Sequence, residues 1–208
     1  MCASLICIEG PQGVGKSSLA AKVSKRYGYH LELEIFEDNP FLVRHFGLGE
    51  KCAFQSEMFF LASRYKQLLR LRKDFLDQGD PSVADFHFLK NPILARSVLD
   101  DDEFSIFEQL YEIVSKELPP VELMIFLNGN PKTIHSRLSK RGRPFEQKLS
   151  LDYLAEVCNA YALEAERYKI SYPKTKVLII DTTDIDFVEN YQHLEVILHQ
   201  IGASLKAQ

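Results

Sequence analysis

The sequence predicts an α/β fold built on a five-stranded, mainly parallel sheet flanked by helices. Apolar runs of strand length recur along the chain, each meets a polar or glycine-bearing turn, and a helical pattern follows. That alternation is the signature of strand–helix–strand units. The chain has 208 residues, 46% of them hydrophobic, enough for one sizeable core, so residues 1–208 read as a single domain.

The elements follow in order. Leu5 to Ile8 is the first strand, and it runs through a glycine-rich turn into a helix marked by Leu19, Ala20 and Val23. A further candidate is Leu31 to Phe36, where Leu31, Leu33 and Ile35 alternate with Glu32 and Glu34 before Asn39-Pro40 ends the run. Phe54, Met58, Leu61, Tyr65, Leu68 and Arg72 recur at steps of three and four, which predicts one long helix from Ala53 to Leu76. Gly79-Asp80-Pro81 closes it, and Val83-Ala84 is the next strand. Phe104 to Leu118 is helical up to Pro119-Pro120, and Leu123 to Leu127 is a strand. Asn130-Pro131 supplies a cap and first-turn proline for a helix to about Lys140. A helix from Ser150 or Leu151 to Ile170, a strand at Val177 to Ile180, and a helix from Phe187 to Ile201 complete the set.

Composition removes several function classes. The formal charge is -4 and the 25 Lys and Arg form no tract, which disfavours a nucleic-acid partner. No apolar stretch reaches the roughly 20 residues of a membrane span. Cys2, Cys7, Cys52 and Cys158 are scattered without a CxxC, and no signal peptide heads the chain, so a reducing cytoplasm is expected and each thiol reads as a small buried apolar group. The six histidines show no paired spacing, so no permanent metal is expected.

The glycine-rich turn carries chemistry. Gly10-Pro11-Gln12-Gly13-Val14-Gly15-Lys16-Ser17 fits GxxxxGK[ST] between a strand and a helix. Backbone N–H groups and the helix N-terminus would cradle phosphates there, with Lys16 reaching the outer ones and Ser17 completing the shell of a Mg²⁺ brought by the nucleotide. Switch GTPases, motor ATPases and small-molecule kinases all use this loop, so other anion sites must discriminate among them. Val177 to Asp181 could supply a metal-holding carboxylate, or end beside the adenine of ATP; Asp85, after Ala84, is the better placed acid at a strand end. Arg137 and Arg141 share a helix face, and Gly142 turns Arg143 into a loop. Three guanidiniums in an acidic protein suit the charge of a transferring phosphoryl group, although cations also suit a solvated helix C-terminus.

The stretches "IEGPQGVGKSSLA", "EIFEDNPFL", "FQSEMFFLASRYKQL", "VADFHFLKN", "LPPVELMIFL" and "KRGRPFE" together resemble the deoxynucleoside kinase family, in particular its bacterial purine branch. The resemblance spans about residues 4 to 150. It implies a P-loop kinase fold with an arginine-rich lid at about 139–148, and transfer of the ATP γ-phosphoryl group to the 5′-hydroxyl of a purine deoxynucleoside. Glu34 falls at the family's proton acceptor. Gln55 matches the glutamine that pairs with the base, with Phe59 and Ala62 on its helix face. Arg64 looks like the second polar group of that helix, although nine residues turn it about 180° from Gln55. Glu146 occupies the place of the acceptor for the sugar 3′-hydroxyl; the tyrosine that often partners it is replaced by His45-Phe46. Asp85 lacks the Arg that follows it in much of the family, which leaves Lys90 or a lid arginine as substitute. Relatives are commonly dimers, so a homodimer is expected. Guanine or adenine as the base stays open, as do a thymidylate-kinase-like monophosphate kinase and a nucleotide-dependent switch.

Overall fold

A computed structural model describes residues 3–35, 39–41, 52–143, 146 and 149–206. Strands β1 (Leu5–Glu9), β2 (His30–Glu32), β3 (Ser82–Ala84), β4 (Leu123–Asn128) and β5 (Lys176–Asp181) pair in the order β2-β3-β1-β4-β5, every pair parallel. Around them lie α1 (Lys16–Tyr27), α2 (Ala53–Asp74), α3 (Lys90–Val98), α4 (Asp101–Ser115), α5 (Pro131–Arg141), α6 (Leu151–Ser171) and α7 (Tyr191–Lys206).

Successive strand residues point to opposite faces, and both faces are covered. Leu5, Cys7, Met124 and Phe126 pack with Leu68 of α2, Phe107 of α4 and Tyr161 of α6. Ile6, Ile8, Ile125 and Leu127 pack with Val23 of α1, Leu138 of α5 and Ile197 of α7. Burial on both sides explains why these strands read as unbroken apolar runs. Strand order reverses at β1, whose neighbours β3 and β4 come later in the chain. In open parallel sheets a crevice forms beyond the strand C-termini at such a point.

Several boundaries differ from expectation for local reasons. β2 stops at Glu32, and Leu33 and Ile35 beyond it are 45% and 44% exposed. The buried residue of this edge segment is instead Glu32, because α2 presents a donor to it: Gln67 Nε2 donates to Glu32 Oε1 at 2.5 Å. Phe36 and Glu37 lie outside the described residues. Helix α3 was not anticipated; its N-cap is Leu89, which offers no capping side chain. Helix α4 starts three residues before Phe104, where Asp100 accepts from Glu103 N at 2.9 Å. The last helix begins at Tyr191 rather than Phe187, whose ring is buried. Cys7 and Cys52 are buried and Cys158 is half-buried, all three free, while Cys2 is outside the described residues. No helix among the described residues is long and apolar enough to cross a membrane.

Candidate active site

The glycine-rich turn leaves β1 at Glu9 and enters α1 at Lys16. Gly10 has φ +145°, and a Cβ there would stand 2.2 Å from the Leu127 carbonyl oxygen of β4; Gly15 has φ +109°, and its Cβ would meet the Phe187 ring at 2.5 Å. Both positions therefore exclude side chains on conformation and on space. Glu9 is buried and holds the turn from beneath: its carboxylate accepts from Gly10 N at 3.1 Å and His87 N at 2.6 Å. Lys16 Nζ donates to the carbonyls of Gly10 at 2.7 Å and Pro11 at 2.9 Å. Burial, with Lys90 adding repulsion, brings its pKa down to about 8. Gln12, Gly13, Gly15, Lys16 and Ser17 line a cavity of about 350 Å³, a size suited to a small ligand. Val14 anchors the turn in the core instead.

A chain of polar contacts crosses the cavity floor from this turn. Ser17 Oγ donates to Asp85 Oδ2 at the end of β3, and the other Asp85 oxygen accepts from Glu34 N at 2.7 Å. Glu34 is gripped from two helices: Arg64 Nε of α2 donates to Oε1 at 2.7 Å, and Lys90 Nζ of α3 donates to Oε2 at 2.5 Å. Burial pushes the Glu34 carboxyl up, but Lys90 and Arg64 outweigh it and hold the group well below the usual carboxylate range. Arg64 is fixed in turn by Asn91, which accepts from its guanidinium, and by the Phe60 ring 4.8 Å away. Two cations from other elements thus stand at Glu34, where the sequence has none directly after Asp85. His87, two residues after Asp85, is half-buried, and its loss of hydration lowers its pKa to about 3.

On α2 the structure selects the face opposite to the one expected. Gln55 is exposed and neither it nor Phe59 lines the cavity; Glu57, Phe60 and Arg64 do. Residues 57, 60 and 64 stand at steps of three and four on one face, and 55, 59 and 62 cluster about 180° away. Assigning the base contact to Gln55 and Phe59 is corrected by that phase. Arg64 sits on the same face as the cavity because it never shared one with Gln55. A charge embedded in the apolar stripe of Phe60, Leu61, Leu68 and Leu71 was the available signal, since a buried charge demands a partner.

The arginines separate. Gly142, at φ +73°, ends α5. Arg141 Nε donates to Glu146 Oε2 at 2.9 Å, its second nitrogen bonds Oε1, and Arg143 stands 3.7 Å from the same carboxylate. All three line the same cavity as Glu57, together with Tyr153 of α6. Pro144, Phe145, Gln147 and Lys148 of the expected lid, and His45 and Phe46, are outside the described residues. Arg137 does not line the cavity with them. Its guanidinium donates to Thr182 Oγ1 at 3.1 Å, Thr182 O at 2.9 Å and Ile185 O at 3.0 Å, pinning the loop after β5. That corrects the expectation of a third phosphoryl-facing arginine. Asp181 is also used locally, accepting from Thr183 N at 2.8 Å, and β4 separates its strand from β1. Among the described residues no group of three or more His, Cys, Asp or Glu could hold a metal ion. The Ser17–Asp85 pair is instead one hydroxyl and one carboxylate beside the turn, a donor set that fits Mg²⁺ carried in on phosphate.

The chain is 36% identical over 193 residues to the deoxyguanosine kinase of Bacillus subtilis, covering 93% of each. It is 27% identical over 208 residues to the deoxyadenosine/deoxycytidine kinase of the same organism, covering 96% of this chain and 92% of that one. A solved deoxyadenosine kinase from M. mycoides with bound dCTP superposes with a TM-score of 0.78 at 24% identity, over 96% of this chain and 99% of the other. The family model described as deoxynucleoside kinase matches residues 6–206, so the chain belongs to the deoxynucleoside kinase family.

Proposed function

We infer that the protein transfers the γ-phosphoryl group of ATP to the 5′-hydroxyl of a purine deoxynucleoside, giving the 5′-monophosphate, a salvage reaction. The observation that carries this reading is the position of Glu34: one cavity holds its carboxylate, the phosphate-binding turn and the Asp85 carboxylate. A hydroxyl placed at Glu34 would face a phosphoryl group held by Gly10 to Ser17.

Catalysis here is positioning and electrostatics. A carboxylate clamped by two cations is a weak base, so Glu34 orients the hydroxyl and takes its proton late, when the phosphoryl group has largely left its donor. Lys16 neutralises the outer phosphates after exchanging the Gly10 and Pro11 carbonyls for phosphate oxygens. Arg141 and Arg143 reach the transferring group from the lid, and Glu146 travels with them as acceptor for the sugar 3′-hydroxyl. Mg²⁺ entering with ATP would be held by Ser17 and Asp85 and would supply charge to the phosphate oxygens. Arg137 shapes the loop where adenine of ATP would lie.

The chain works as one catalytic domain over residues 1–208, with its lid at about 139–148. A homodimer is supported by Ile106, Leu110 and Ile113, which leave one flank of α4 apolar and exposed, and a cytoplasmic location by the free thiols of Cys7, Cys52 and Cys158. A screen with Mg²⁺, ATP and each deoxynucleoside, ribonucleoside and nucleoside monophosphate tests the reaction. Transfer to deoxynucleosides is expected. Transfer to monophosphates alone would favour a thymidylate-kinase-like enzyme, and acceptor-independent hydrolysis a switch.

A further inference from the structure

We propose that Glu57 reads the base, and that its carboxylate selects guanine over adenine by accepting two N–H groups from the Watson–Crick edge. This rests on the deoxynucleoside kinase reading and deepens it by naming the base.

Three observations converge on the residue. Glu57 is only 9% exposed and lines the cavity. Its Oε2 is buried with no hydrogen-bond partner among the described residues, so a carboxylate oxygen lies shielded from water with nothing to accept. It also stands seven residues before Arg64 on the same face of α2, about 10 Å along a helix axis, comparable to the span of a purine nucleoside from its 5′-hydroxyl to its Watson–Crick edge. With the hydroxyl at Glu34, beside Arg64, the base edge reaches Glu57. Phe60 and Tyr153 line the same cavity and give the ring an apolar and aromatic setting.

Chemistry then separates the purines. Guanine offers adjacent N1–H and N2–H donors, which match the two acceptor oxygens of a carboxylate. Adenine offers one donor, N6–H, beside the N1 lone pair, which would face a carboxylate oxygen with no proton between them. A glutamine presents one donor and one acceptor and loses that discrimination. Protonation state sharpens the contrast. Burial raises the Glu57 pKa to about 7, against the opposing pull of Arg64 on its own helix and Lys90 from α3. Tyr153 from α6, Arg141, Arg143 and Glu146 from the lid side, and Glu34 beyond Arg64 complete the titratable surroundings. Below pH 7 the protonated acid can donate to adenine N1; above it, only the guanine pattern is served.

The test is steady-state phosphorylation of deoxyguanosine, deoxyinosine and deoxyadenosine by the full chain with ATP and Mg²⁺ from pH 6 to 8.5. The wild type should rank them in that order by kcat/KM, deoxyinosine lacking the 2-amino donor, and the deoxyguanosine to deoxyadenosine ratio should rise with pH. Glu57→Gln should lower that ratio about 10- to 100-fold, chiefly through KM for deoxyguanosine, and flatten its pH dependence. A ratio unmoved by the substitution, or a wild type that prefers deoxyadenosine, overturns the assignment while leaving the kinase reading intact. Transfer to none of the three strikes the kinase reading itself. Should the variant fail to fold, the wild-type ranking and its pH trend decide: a flat ratio, or equal use of deoxyinosine and deoxyguanosine, refutes the carboxylate reader.

Discussion

Replacing Glu57 by Gln should stabilise the protein, and by an amount that grows with pH. Burial moves the Glu57 carboxyl from an ordinary 4.5 to about 7 in the folded chain. At 1.36 kcal/mol per pH unit, that shift corresponds to about 3 kcal/mol of preference for the protonated form. A raised pKa contributes stability that is fully present below the unfolded value and is lost as pH rises through the folded one. Wild type therefore forfeits up to about 3 kcal/mol between pH 4.5 and pH 8 from this group alone, a ceiling because water entry relaxes a buried charge. The neutral amide forfeits none of it. Urea unfolding of both proteins at pH 5, 6, 7 and 8 measures the difference directly, since carboxylates common to both cancel. The expected result is near equality at pH 5 and a gain for Glu57→Gln approaching 2 to 3 kcal/mol at pH 8, or roughly 4 to 12 °C in Tm for a chain of this size. A difference that stays constant with pH would refute the reasoning, because it would mean that Glu57 ionises as easily in the fold as in water.

The other outcomes concern turnover. Glu34→Gln should lower kcat by about 10²- to 10⁴-fold with ATP binding retained, as read by single-turnover transfer and calorimetry; near-normal turnover would remove Glu34 from the reaction. Lys16→Ala should abolish transfer, and in the wild type the affinity for ATP, followed by titration calorimetry, should weaken as pH climbs through 8, where the lysine of the unliganded turn loses its proton. Arg141→Gln should raise the barrier by about 3 to 4 kcal/mol, whereas Arg137→Gln should chiefly raise KM for ATP by loosening the Thr182–Ile185 loop. Equal losses of kcat for the two arginines would mean that both touch the phosphoryl group.

How much of this was legible depends on which physical term dominates each element. Strands β1 and β4 and the GPQGVGKS turn were readable because their constraints are local: burial on both faces demands unbroken apolar runs, and phosphate cradling demands missing side chains. Helix α3 was not readable, because Lys90-Asn91-Pro92 begins it without a capping side chain and its two polar leaders serve Glu34 and Arg64. The phase of α2 was the main miss. Gln55, Phe59 and Ala62 make as coherent a stripe as Glu57, Phe60 and Arg64, and periodicity fixes the spacing of a stripe but not which stripe meets the ligand. Glu34 lies in the cavity although the strand expected to present it ends two residues earlier; its neighbours Arg64 and Lys90, not strand alternation, orient it. Arg137 and Arg141 share a helical spacing, yet only the second stands at the helix end and lines the cavity.

Phe187 makes the nucleotide cradle a non-local object. Its ring fills the space that a side chain at Gly15 would need, so the turn at the start of the chain is finished by a residue just before the last helix. A ribosome that has released the first strand and its glycine turn has therefore not yet produced a nucleotide-binding protein. ATP should therefore meet the cradle in its finished form only once residues through Phe187 have been made.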